Sequence, residues 1–203
     1  MVDPLTLVAF VPAALALNLT PGADMMFCLG QGLRSGARAA WAASAGIALG
    51  GMVHVLLAGA GLSALLTSWP VAFDVIRWLG VAYLSWLAFQ ALRRPIPSLQ
   101  ALPPRAVSAF RAGLIVNLTN PKVILFVLAF IPQFVQPEAG PVLFQFIVFG
   151  VVLSLGGLAV NGLLGMGAGS LGQRLAQGSR LLDILTASIF AALALRLALL
   201  ERT

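Results

Sequence analysis

Charge is scarce in this chain. Of its 203 residues, 9% are Asp, Glu, Lys or Arg, while 60% are hydrophobic. A soluble domain carries about 25% charged residues, so there is too little polar material to cover a water-facing surface. Cysteine and histidine are rarer still, with one of each, Cys28 and His54. A single cysteine excludes an intrachain disulfide and any multi-cysteine metal site, and no metal or other cofactor is expected. One His, one Cys and few carboxylates are also a poor inventory for an intramembrane enzyme, which needs a nucleophile with a base or a metal cluster. The chain is therefore not expected to be an enzyme. A basic patch is missing as well. The net charge of +6 comes from residues spread between apolar runs, which argues against nucleic acid as a partner. The amino terminus, Met1-Val2-Asp3-Pro4, has no basic n-region, so the first apolar run is expected to be retained rather than cleaved.

What fills the chain instead is long apolar sequence. Residues 39–73 and 139–173 contain no charged side chain at all, and each exceeds the ~20 apolar residues that cross a ~30 Å hydrocarbon core as helix. Hydrocarbon offers no partners to the backbone, so spans must be helices or a closed barrel. The runs do not alternate apolar with polar, which removes the barrel. The expected fold is an all-α integral membrane protein in a lipid bilayer. Its six transmembrane helices lie near 5–33, 40–66, 71–92, 109–134, 141–165 and 181–200. The first is broken at Pro21-Gly22, and Pro12 is a further candidate kink. The polar, proline-rich connection 93–111 divides this single membrane domain into two three-helix repeats, 1–92 and 112–203.

Arginines set the orientation. Arg34 and Arg38, then Arg93, Arg94, Arg105 and Arg111, then Arg174 and Arg180 follow spans one, three and five. By the positive-inside rule these connections are cytoplasmic, which puts both termini outside. Arg196, near the end of the last span, is expected to snorkel to the interface.

A short repeat interrupts the apolar pattern. Asn18-Leu19-Thr20-Pro21 in the first span returns as Asn117-Leu118-Thr119-Asn120-Pro121 in the fourth. Three helices separate the copies, so they cross the bilayer in opposite directions. That is a 3+3 inverted-topology repeat with broken helices 1 and 4, an arrangement found in secondary transporters whose substrate sites sit at such breaks. Proline has no N–H, so Pro21 frees the carbonyl of Leu17 and Pro121 that of Asn117. Thr20 and Asn120, which precede the prolines, are biased away from helical geometry, and Gly22 lets the first break open further. Freed carbonyls suit an ammonium group, and a half-helix N-terminus suits a carboxylate.

Each break also carries a charge, Asp24 and Lys122. In the middle of a span each costs ~2.5–3.5 kcal/mol, so neither should face lipid. A structural ion pair between them is one expectation. The other has Asp24 receiving a substrate ammonium or coupling proton and Lys122 near a substrate carboxylate. His54, with an ordinary pKa of ~6.5, suits either proton coupling or plain packing. Asn18 and Asn117 complete the candidate site, while Tyr83 and Asn161 are weaker candidates. Gly46/Gly50 and Gly165/Gly169 are G-x-x-x-G pairs that permit close helix contact, and with it a homodimer.

These motifs, taken in order, resemble the LysE/RhtB family of bacterial amino-acid exporters over nearly the whole chain. Pro21, Gly22 and Asp24 match the family's Pro-Gly-Pro signature and its following polar residue, with Ala23 in place of the second proline. Asn120-Pro121-Lys122 followed by Pro132-Gln133-Phe134 matches the second signature. "GQGLRSGARAAWAASAGIALGGMVH" and "GVAYLSWLAFQALRR" resemble the family's second and third helices. The resemblance implies a six-helix inner-membrane exporter of amino acids or related zwitterionic metabolites, driven by the proton gradient. A passive channel or facilitator, or a non-transporting membrane interaction protein, stands as the alternative.

Overall fold

The computed structural model describes residues 2–68, 72–93, 109–168 and 180–199. The connection beyond Arg93 with Arg94 and Arg105, as well as Gly169 and Arg174, lies outside the described residues, as do the side chains of Arg180 and Arg196. All regular structure among the described residues is helical.

The first expected span is two helices. In α1 (Pro4–Leu19), Asp3 Oδ2 accepts from the Thr6 N–H at 3.0 Å, and Pro4 stands in the first turn, where a missing N–H does no harm. Pro12 lies inside α1, and the helix continues through it. Thr20 is extended (φ −70°, ψ 120°), and α2 (Ala23–Ser35) sets off at 56° to α1. A single residue, Gly36, separates α2 from α3 (Ala37–Ser68). Its φ of +81° is the left-handed geometry that glycine adopts without a Cβ clash. The second span thus begins earlier than the sequence suggests, because the turn is one glycine long. α4 (Ala72–Arg93) follows.

The fourth expected span is also two helices, α5 (Ala109–Leu118) and α6 (Pro121–Phe130), again bent by 56°. Asn120 is extended (φ −81°, ψ 106°), and its side chain caps α6 by accepting from the Lys122 N–H at 3.1 Å. Short 3₁₀ turns at Ile131–Phe134 and Pro137–Ala139 lead into α7 (Val142–Met166). Gln145 clamps this connection. Its side chain accepts from the Gln136 N–H and donates to the carbonyls of Gln136 and Gly140. The last described helix is α8 (Arg180–Leu199).

Among the described residues two helices are long and apolar enough to cross a membrane, α3 over Ala37–Leu62 and α7. Each bent pair adds one more if it is counted as a single span. α4 and α8 cover the stretches of the third and sixth expected spans, but neither is among the helices that meet this test. Leu5, Leu57, Leu79, Leu155 and Leu195 are exposed on the periphery, as an apolar solvent permits.

The interior is held by aromatic packing and by glycine. Phe10 of α1 lies against Phe130 and Phe149, at 5.5 and 4.8 Å between ring centroids, and Phe126 and Phe190 extend the cluster. Elsewhere the helices touch backbone to backbone. A Cβ on Gly46 would collide with the carbonyl of Phe110, one on Gly113 with that of Ala43, and one on Gly32 with that of Gly165. Gly46, Gly50 and Gly165 are therefore used inside the chain, which leaves them no free face for a homodimer.

The close approach of α3 and α5 gives a direct test. Gly46→Ala should destabilise the detergent-solubilised protein by about 1–3 kcal/mol through overpacking. Gly61, with nothing within 4 Å of its would-be Cβ, should accept Ala with no loss and a gain of up to about 1 kcal/mol in helix propensity. Thermal unfolding of the two variants measures both.

Candidate functional site

The carbonyls that the two prolines release do not remain without donors. At the first break the Lys122 ammonium reaches across from α6 and donates to Leu17 O at 2.9 Å and Thr20 O at 2.7 Å. At the second break His54 Nε2, on α3, lies 3.2 Å from Asn117 O. A carbonyl only accepts, so Nε2 carries the hydrogen and Nδ1 is left as the second functional atom of the ring. The Asn120 N–H also donates to Asn117 O, at 2.9 Å.

Helix ends explain the placement of the two charges. The carbonyl end of α1 is the negative pole of its dipole and holds the ammonium. Asp24 lies in the first turn of α2, at the positive pole. The charges do not pair with each other. Asp24 Oδ2 accepts from Asn117 Nδ2 at 2.8 Å, while Asp24 Oδ1 is buried with no hydrogen-bond donor. The Asn120 amide lies close enough to act as a weak second donor to this carboxylate, and Lys122 and His54 are within electrostatic reach of it.

The breaks are thus cross-linked in a reciprocal way. A side chain from the first turn after each break binds the residue four before the proline of the other break, Lys122 to Leu17 and Asp24 to Asn117. Second contacts fix these groups. Tyr83 of α4 donates to Lys122 O at 3.0 Å. A Cβ at Gly50 would meet Asn117 Oδ1 at 2.7 Å, so the bare glycine seats that side chain. Thr20 contributes its carbonyl, and its hydroxyl donates back to Ala16 O. At Gly22 a Cβ would be 3.5 Å from Lys122 Cδ and Nζ, so the stem passes a position with no side chain.

Not every expected site residue joins this group. Asn18 donates to Leu153 O on α7 at 3.1 Å and lies beside Gly156 and Gly157. Asn161 is buried on α7, and its Oδ1 has no partner. The Gln145 clamp beyond the second break carried no sequence signal, since a glutamine in an apolar run does not announce which loop it will hold. Among the described residues no group of three or more His, Cys, Asp or Glu is placed to hold a metal.

Comparison with known proteins agrees with the motifs. The model of the LysE type translocator family matches residues 15–201. The chain is 33% identical over 172 residues to a homoserine/homoserine lactone efflux protein of Salmonella typhi, covering 83% of this chain and 81% of that protein. It is 32% identical over 151 residues to a leucine efflux protein of Enterobacter sp., covering 72% and 71%. An uncharacterized membrane protein of Vibrio cholerae is 34% identical over 148 residues, covering 70% of this chain and 71% of its own length. No solved structure matches.

The two asparagines of the repeat should separate cleanly in function. Asn18→Ala loses a structural hydrogen bond worth about 0.5–1.5 kcal/mol and should leave the substrate half-saturation constant unchanged. Asn117→Ala takes the donor from Asp24 and should reduce efflux at saturating substrate by about tenfold or more, equivalent to about 1.4 kcal/mol. Initial rates in proteoliposomes across a substrate series distinguish the two.

Proposed function

The chain belongs to the LysE type translocator family, a multi-pass membrane transporter and not an enzyme, and from this premise we propose that it exports small neutral amino acids or related zwitterionic metabolites as a proton-coupled secondary transporter. One observation carries the reading. Asp24 Oδ1 is a buried acceptor without a donor, set between two proline breaks whose carbonyls face ammonium or imidazole N–H groups. A zwitterion has no net charge, and the site's own carboxylate and ammonium already balance, so it enters without leaving a charge uncompensated. No further charge is left over for a charged side chain, which favours an uncharged one. Two of the relatives are named for homoserine/homoserine lactone efflux and for leucine efflux, and homoserine and leucine are of this class.

Coupling fits the same geometry. Asp24 takes the proton when no ammonium is present, and His54, hydrogen-bonded to the second break through Nε2, leaves Nδ1 for exchange. The six spans form a 3+3 inverted repeat in this reading. In its support, both breaks bend by 56°. In addition, α1 and α2 both touch α7, and α5 and α6 both touch α3. The arginine-bearing connections face the cytoplasm and both termini lie outside.

Proteoliposomes loaded with labelled leucine or homoserine test the function. Efflux should exceed that from protein-free liposomes, a pH gradient should drive accumulation, and Asp24→Asn should abolish the gradient-driven part. Flux that no gradient can concentrate would make the protein a facilitator, and no flux for either compound would sink the exporter reading for them. Orientation is checked separately. With Cys28 replaced by serine, a single cysteine at position 2 or 203 should react with an impermeant thiol reagent added outside intact cells.

A further inference from the structure

Lys122 is the only lysine in the chain, and every other basic side chain except His54 is arginine. The difference has a physical basis at this position. A guanidinium is a planar fork suited to carboxylates, whereas an ammonium is a compact point charge with three rotatable donors. The compact ammonium places two donors of a single nitrogen on two backbone carbonyls of one helix end, as Lys122 Nζ does on Leu17 O and Thr20 O. The result is an ammonium held by neutral carbonyls, with a carboxylate in electrostatic reach that keeps one oxygen without a donor. Each charge is thus half satisfied where it stands, and each has an alternative partner nearby. The bare Gly22 beside the lysine stem puts no side chain in the way of a change between them.

We propose that the Leu17–Thr20 carbonyl pair is the binding site for the substrate's primary ammonium, and that Lys122 occupies it between substrates and moves to Asp24 Oδ1 when displaced. This rests on the exporter reading and extends it by assigning the ammonium subsite and its resident competitor. The tethered cation keeps the broken end of α1 satisfied in the empty carrier, where freed carbonyls in apolar surroundings are costly. It also denies the site to inorganic monovalent cations. An arriving amino acid replaces one ammonium by another of the same chemistry, so the carbonyls lose nothing. The displaced lysine then gains the counter-charge that it lacks in the resting arrangement. Substrate binding and the state of Asp24 become linked, because protonating Asp24 would remove the negative charge that the displaced Lys122 moves to.

A sole lysine makes the test direct. Protein labelled with ε-¹⁵N lysine gives one Nζ resonance, from Lys122. Saturating leucine or homoserine should move that resonance in the detergent-solubilised wild type, whereas propionate, a carboxylate with no ammonium, should not. If propionate moves it as the amino acid does, Lys122 is a carboxylate receptor and the proposal is wrong. An unmoved resonance while calorimetry shows the amino acid bound also overturns it. Lys122→Met, which keeps most of the stem, should bind methylammonium where the wild type does not. It should also gain about tenfold in amino-acid affinity, since the competitor is gone, while turnover falls. A folded Lys122→Met protein that binds no methylammonium removes the subsite whatever the substrate. If that variant does not fold, the wild-type resonance decides alone. No binding of any amino acid to the wild type would instead strike the exporter reading, which keeps the two failures distinct.

Discussion

A backbone carbonyl that loses its helical partner inside an apolar surrounding must find another donor, and the centre of this protein is arranged around that demand. Pro21 and Pro121 each remove one N–H, and each released carbonyl is met by a side chain from a different element. The cost of leaving such a group unpaired is several kcal/mol, comparable with the whole expense of placing one charge in a span. Lys122 and His54 are thereby drawn to the breaks, and Asp24 follows by way of Asn117. The polar centre is a consequence of the breaks rather than an addition to them.

Glycine makes that arrangement reachable. His54 can cap the second break only because α3 runs against α5 at backbone contact, through Gly46 and Gly113. Gly50 then leaves room for the Asn117 side chain that binds Asp24. The same contacts occupy the glycine faces that, viewed as sequence, could equally have served a second copy of the chain. Beside the breaks, the phenylalanines of α1, α6, α7 and α8 pack into one apolar cluster that also takes in Leu17 and Val123.

Most of the element plan was legible, because its signals are local. Proline, charge-free runs and the residue before each proline act on their own stretch of backbone. Thr20 and Asn120 are extended as expected. Asn18 shows where this kind of reading fails. Its tripeptide matches Asn117-Leu118-Thr119, but the first copy reaches its proline one residue sooner. Counted from the prolines, Asn117 corresponds to Leu17 and not to Asn18. One residue is about 100° of helix rotation, enough to turn Asn18 onto α7 while Leu17 presents its carbonyl to Lys122.

By itself the sequence determined that this chain enters a membrane, where its helices break, and that Asp24 and Lys122 must be kept from lipid. Those conclusions follow from hydropathy, proline chemistry and the cost of buried charge, none of which needs a fold. Only the tertiary structure decided who meets whom. The two charges, free to pair as far as the sequence could say, stand apart, one on an asparagine and one on two carbonyls. Partner choice depends on which helix faces touch and at what depth. That is set by glycine contacts and helix rotation, and although the glycine pairs show in the sequence, which helix each one touches does not.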